Sequence, residues 1–175
     1  MKEILLEKDL IQDRLHELAG EVARDYAGES LVLVAVLSGG MVIAADFLRH
    51  LWEQGFENVQ LDTVKISSYG QETTSSGEPV LVKDLQLDIA GKHLLIVEDV
   101  IDTGLTIHML KAHLHSKHPA SVETLSLLSK PKHIRKAEVS ARYVGFHIDD
   151  VWIEGYGIDT AENGRGNPNI VQVIG

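Results

Sequence analysis

The residues with the most evident chemistry lie between Leu94 and Thr106, in the run LLIVEDVIDTGLT. Glu98 and Asp99 are adjacent acids, Asp102 is a third, and Asp102-Thr103-Gly104 supplies a tight turn ahead of a helical pattern that starts near Leu105. The backbone N–H groups of such a turn, followed by a helix N-terminus, form a socket for an anion, and a phosphate fits it. Two carboxylates would repel that phosphate, so Glu98 and Asp99 should face hydroxyl groups or a divalent cation. A sugar phosphate meets both demands. Asp102 then stands where it can act on whatever is bound at the anomeric carbon. Helix capping by Asp102 or Thr103 is the plainer alternative, but it accounts for one acid and leaves the pair before it unexplained.

Such groups need a scaffold. Leu94, Leu95, Ile96 and Val97 form a continuous apolar run, which reads as a strand buried on both faces with the acids at its C-terminal end. In an open α/β sheet that end faces the ligand crevice. A second apolar run, Leu31 to Leu37, ends in Ser38-Gly39-Gly40 before a helix over Met41 to Trp52, so another strand, turn and helix address the same crevice. Asp9 to Tyr26 places Leu10, Ile11, Leu15, Leu18, Ala19, Val22 and Ala23 at helical spacing and reads as an amphipathic packing helix. Leu61 to Tyr69 reads as a strand with one more exposed face. Gly70 to Pro79 is too polar and glycine-rich to pack and reads as a lid loop, with Val80 to Val82 returning from it.

Beyond the acids, a helix is expected from Leu105 to His118, stopped by Pro119, and then a buried strand from Val122 to Leu128. His108, His113, His115 and His118 invite a metal reading, but only His115 and His118 share a face and no acid joins them there, so a solvated face is expected. Arg142 to Ile148 reads as a strand, Asp149-Asp150 as a turn and Val151 to Gly157 as another extended piece.

The chain has 175 residues, 44% of them apolar, which suits one domain able to bury roughly two-thirds of its unfolded surface. No apolar run approaches the ~18 residues of a membrane span. Met1-Lys2-Glu3 leads into only three apolar residues before Glu7, unlike a secretory signal, and there is no cysteine. The cytoplasm is the expected compartment. A net charge of −10 argues against a nucleic-acid partner, while magnesium can reconcile acids and phosphates that share a site.

VEDVIDTGLT resembles the phosphoribosyl pyrophosphate signature of type I phosphoribosyltransferases, in its hypoxanthine-guanine form. The resemblance extends from Val32 to Arg165 and implies an α/β fold: a parallel central sheet flanked by helices, in a single domain over residues 1–175. The core would span about 8–130, a flexible lid about 68–82, and a small purine-binding hood about 131–175. It implies that Glu98 and Asp99 bind the ribose hydroxyls, that Asp102, Thr103, Gly104, Leu105 and Thr106 cradle the 5-phosphate, and that Asp102 manages the proton on purine N7. Leu37-Ser38-Gly39 would be the pyrophosphate loop, often with a non-proline cis peptide, and Ser68-Tyr69 would begin the lid. Trp152 would stack on the purine, the backbone of Ile153 would read its edge, Asp159 would hold magnesium through water, and Arg165 would contact pyrophosphate. With Glu98 and Asp99, Asp159 makes up the implied metal set.

Some members carry lysines at the positions matching Ser38, Ser67, Leu105 and Ser140. A lysine at Ser140 would read the purine 6-oxo group. Two outcomes are open: selection falls to backbone groups of the hood and to water, or a lysine reaches in from the segment holding Lys130, Lys132 and Lys136, which is one residue longer than usual, and Lys136 is the one expected to compensate. The implied reaction is purine salvage with phosphoribosyl pyrophosphate and a purine base as substrates, in a homodimer or homotetramer. A xanthine-preferring or pyrimidine transferase, and a non-catalytic regulator of the same fold, are the alternatives.

Overall fold

A computed structural model of the chain describes residues 1–68 and 79–174. They form, in order, β1 (Lys2–Leu6), α1 (Lys8–Asp25), β2 (Leu31–Leu37), α2 (Gly39–Glu53), β3 (Val59–Ser68), β4 (Pro79–Lys83), β5 (His93–Ile101), α3 (Leu105–His115), β6 (Ser121–Ser129), β7 (Tyr143–His147), β8 (Ile153–Glu154) and β9 (Ile170–Val173). The six-stranded sheet runs β4-β3-β2-β5-β6-β7, parallel except for β4 at one edge.

β2 and β5 lie side by side at its centre because both are apolar on both faces. Leu31, Leu33, Leu95 and Val97 pack into one layer with Ile11, Leu15 and Leu18 of α1 and Phe47 and Leu51 of α2. Val32, Val34, Leu94 and Ile96 pack into the other with Ile107, Leu110 and Leu114 of α3. Helices on both faces remove any need for polar alternation, hence the unbroken apolar runs. The helix expected to end at His118 stops at His115. His118 takes a left-handed φ of 56°, which turns the chain toward β6 just before Pro119.

The hood differs from its expected boundaries. β7 completes the edge of the main sheet, beside β6, and so belongs to the core. The hood sheet is instead β1-β9-β8, antiparallel throughout, and it takes its first strand from the other end of the chain. Only Ile153–Glu154 of the expected Val151 to Gly157 run is a strand, while Gly155, Tyr156 and Gly157 all have positive φ. Tyr69 and the loop 70–78 lie outside the described residues. β3 and β4 pair antiparallel on either side of that stretch.

Asp62 ties β3 to the segment that leads into β5. Its buried carboxylate accepts hydrogen bonds from the backbone N–H groups of Gln86 (2.7 Å), Leu87 (2.9 Å) and Thr63 (2.7 Å). Burial alone would raise its pKa, but these donors, together with Lys83, outweigh that and lower it. A lowered carboxylate pKa contributes stability that is full above the ordinary carboxylate range and is lost as pH falls through the lowered value. Asp62→Ala strands three donors and is expected to cost about 2 to 4 kcal/mol in urea unfolding near neutral pH. A loss below ~0.5 kcal/mol would mean that water replaces the carboxylate.

Candidate active site

The crevice opens at the C-terminal ends of β2 and β5. The Leu37–Ser38 peptide is cis, and α2 begins at the next residue, so the turn is tight. Gly39 presses against the end of β5 so closely that a Cβ there would overlap the Asp99 carboxylate. Gly157, held at φ 96°, approaches the Gly39 carbonyl in the same way and brings the hood onto the turn. Ser38, Gly39, Glu98, Asp99, Thr106, Asp159 and Arg165 line a cleft of about 250 Å³. All seven are residues the sequence singled out as binding groups.

Glu98 and Asp99 are the electrostatic centre of the cleft. Burial pushes the Glu98 carboxyl well above its ordinary range, and the charge of Asp99 beside it adds to the effect. Burial also raises Asp99, against a hydrogen bond with Glu98 and the N–H of Val100 at 2.7 Å, which lower it. Among the described residues, no lysine or arginine forms an ion pair with either acid. The buried Glu98 and half-buried Asp99, which share the cleft with Asp159, form an all-oxygen donor set. Such a set suits a hard divalent cation or sugar hydroxyls rather than a soft metal.

Asp102, Thr103 and Gly104 form the turn from β5 into α3. The N-cap of α3 is Gly104, at φ 80°, with no side-chain cap, so neither Asp102 nor Thr103 serves as the capping group. The Thr103 carbonyl accepts from the N–H groups of Lys136 (2.8 Å) and Ala137 (3.3 Å), which fixes the turn from behind. Leu105 and Thr106 open the helix. Asp102 leaves 49% of its side chain exposed, and its Oδ2 lies 3.5 Å from Lys130 Nζ. Lys130 also reaches Asp150 Oδ1 at 3.0 Å, with only 11% of its side chain exposed.

The hood supplies the remaining groups. Trp152 is 63% exposed, so it is no core residue, and its ring is oriented by a hydrogen bond from Nε1 to Thr160 Oγ1 at 3.0 Å. Ile153 is buried in β8, paired with Gln172. Asp159 pairs with Arg165 at 2.8 Å, and Arg165 also donates to the Gly157 carbonyl at 2.8 Å. Ser68 ends β3 at the mouth of the undescribed stretch, and Tyr69 lies within it. Of the four histidines around α3, His113 pairs with Asp84 at 2.9 Å; none joins a metal-ligating cluster among the described residues.

Residues 2–161 match the phosphoribosyl transferase domain family. A hypoxanthine-guanine phosphoribosyltransferase of Dictyostelium discoideum is 40% identical over 168 residues, covering 95% of this chain and 92% of that protein. The Bacillus subtilis protein of the same name is 35% identical, over 97% of this chain and 92% of its own length. A crystal structure of a hypoxanthine-guanine phosphoribosyltransferase from Bacillus anthracis superposes with a TM-score of 0.89 at 42% identity, covering 98% of both chains. The chain belongs to the phosphoribosyltransferase family.

Within this phosphoribosyltransferase, the lysine question resolves differently from the sequence expectation. The Ser140 carbonyl accepts from Lys111 Nζ at 3.0 Å, and the residue lines a depression with Lys132 and Lys136. Lys136 is exposed and meets the Asp102 turn only through its backbone N–H. The ammonium at Asp102 is that of Lys130, which sequence reasoning passed over. Its backbone N–H donates to the Ile101 carbonyl at 3.0 Å, extending the β5–β6 ladder and holding Lys130 beside Asp102. The available signal was positional: Lys130 is the first residue past a parallel strand whose neighbour ends in the acids.

Proposed function

We propose that the protein salvages purines by transferring the 5-phosphoribosyl group from phosphoribosyl pyrophosphate to hypoxanthine or guanine, giving the nucleoside monophosphate and pyrophosphate. The observation that carries this reading is the near-buried Lys130 ammonium 3.5 Å from Asp102, and Trp152 is exposed enough to receive a base. A cationic donor next to a carboxylate matches the 6-oxo and N7 positions of a 6-oxopurine, one an acceptor and the other the site of proton transfer. Trp152 stacks on the base and the backbone of Ile153 reads its edge. Glu98 and Asp99 accept hydrogen bonds from the ribose hydroxyls, Asp102 to Thr106 hold the 5-phosphate, and Leu37-Ser38-Gly39 with Arg165 hold the pyrophosphate.

Asp102 takes up the N7 proton as the new bond forms. Magnesium, held by Asp159 with Glu98 and Asp99, would supply charge neutralisation to the leaving group. Ser68 and Tyr69 begin the lid that excludes water from the reacting carbon. The reading further places the protein in the cytoplasm as a homodimer or homotetramer, without a nucleic-acid or membrane partner. Among the described residues, no helix is long and apolar enough to cross a membrane.

Release of pyrophosphate measured with hypoxanthine, guanine, xanthine and uracil tests the reading. Turnover with the first two supports it, and turnover with uracil alone would overturn it. Lys130→Ala is expected to raise KM for hypoxanthine by about tenfold to a hundredfold, the equivalent of one charged hydrogen bond, with KM for the sugar pyrophosphate nearly unchanged. Unchanged purine kinetics in that variant would leave 6-oxo recognition to backbone groups and water.

A further inference from the structure

Away from the cleft, on the outer face of α1 and α2, two histidines aim their Nδ1 atoms at one carboxylate. His50 Nδ1 lies 3.1 Å and His16 Nδ1 3.6 Å from Glu53 Oε2. The rings meet edge to face with centroids 5.4 Å apart. The far nitrogen of each ring is held by a glutamine, His50 Nε2 by Gln12 Oε1 at 2.9 Å and His16 Nε2 by the Gln54 amide at 3.0 Å. The Gln12 amide has one orientation open to it, because its Nε2 donates to Asp46 Oδ2 (3.0 Å) and to the Tyr156 hydroxyl (2.6 Å). Its Oε1 therefore accepts from His50 Nε2–H, and a neutral His50 presents a bare lone pair at Nδ1. A lone pair and a carboxylate oxygen 3.1 Å apart repel unless a cation stands between them. A proton can fill that place, and so can a metal ion.

We propose that His16, His50 and Glu53 bind a zinc-class divalent ion at a site separate from the phosphoribosyl cleft. Two imidazoles and a carboxylate suit a borderline transition ion and not magnesium. The three donor atoms lie within 4.8 Å of one another. An ion at ~2.0 to 2.1 Å from each requires them roughly 3.3 Å apart, a closure that small side-chain rotations supply. A metal-binding histidine usually donates its second N–H to a fixed acceptor, which sets the ring. Gln12 already does this for His50, and turning over the Gln54 amide does it for His16. His16 and Glu53 keep 51% and 58% of their side chains exposed, which gives the ion an entry path and leaves a fourth position for water. A bound ion would clip α1 to α2.

The test is calorimetric titration of the chelator-treated full chain with Zn²⁺ in excess Mg²⁺, the Mg²⁺ occupying oxygen-only sites such as Glu98 and Asp99. One equivalent of Zn²⁺ is expected to bind, with affinity reduced at least tenfold in His16→Ala and in Glu53→Gln, both at exposed positions where circular dichroism can verify the fold. Gln12→Ala is expected to weaken binding by about tenfold to a hundredfold through His50 alone. Co²⁺ in place of Zn²⁺ should give visible absorption that His16→Ala removes. Absence of Zn²⁺ binding by the wild type, or unchanged affinity in the folded His16→Ala and Glu53→Gln variants, overturns the proposal.

Discussion

Asp102→Asn is expected to lower kcat by roughly 10² to 10⁴, the usual yield of a positioned acid or base. The amide keeps the size of the side chain and an oxygen that can face Lys130, so the turn from β5 into α3 should persist. What it loses is the capacity to take a proton from the purine. Asp102 suits that task because half of its side chain is exposed and its one ion-pair partner among the described residues stands 3.5 Å away. On the proposed reading the 5-phosphate is held by backbone groups of the same turn, so KM for the sugar pyrophosphate should shift only a few-fold. Steady-state kinetics with hypoxanthine decide the matter: wild-type turnover in the Asn variant removes Asp102 from proton transfer.

The acid pair should show the largest effect on binding. On the proposed reading, Glu98→Ala combined with Asp99→Ala deletes the two acceptors of the ribose hydroxyls at ~1.5 to 3 kcal/mol each, which amounts to an expected loss in sugar pyrophosphate affinity of about 10² to 10⁴-fold. Calorimetry showing unchanged affinity would remove both from the ribose site. The raised pKa values of the pair add a prediction with a definite sign. For a carboxylate whose folded pKa is raised, the folded state is penalised as pH rises above the ordinary carboxylate range, and the penalty is complete above the raised value. The isosteric pair Glu98→Gln with Asp99→Asn removes that penalty, so its Tm near neutral pH should equal or exceed that of the wild type even as binding fails. A lower Tm would mean that the acids hold the fold together rather than being carried by it.

Asp84 behaves oppositely. Burial alone would raise it, but hydrogen bonds from Lys117 at 2.6 Å and His113 at 2.9 Å, with the Leu85 N–H, hold it at about 2. Its contribution is therefore full above the ordinary carboxylate range and fades as pH falls toward that value. The side chain is 36% exposed, so solvent screening discounts the effect of Asp84→Asn to about 1 kcal/mol in chemical denaturation at pH 7. No difference between pH 7 and pH 3 would show that the network contributes nothing.

The sequence by itself determined the parts whose geometry is local. The apolar run into Glu98 and Asp99 could only be a doubly buried strand, and Asp102-Thr103-Gly104 could only turn tightly into a helix, so the main groups of the cleft were legible before any coordinates. Leu37-Ser38-Gly39 was legible for the same reason, since strand, turn and helix are contiguous. Tertiary structure decided what depends on strand order and register. Lys130 reaches Asp102 because β6 lies beside β5 and its ladder continues from Ile101 to Lys130. That pairing also displaced the expected roles of Ser140 and Lys136. β1 joins the hood because Lys2 to Leu6 finds β9, a partner at the far end of the chain that five residues of sequence cannot announce. His16, His50 and Glu53 meet only because α1 and α2 pack side by side on one face of the sheet. Local propensity fixes each element and the residues at its end, whereas a contact between elements depends on burying both apolar faces of the sheet at once, which no single stretch encodes.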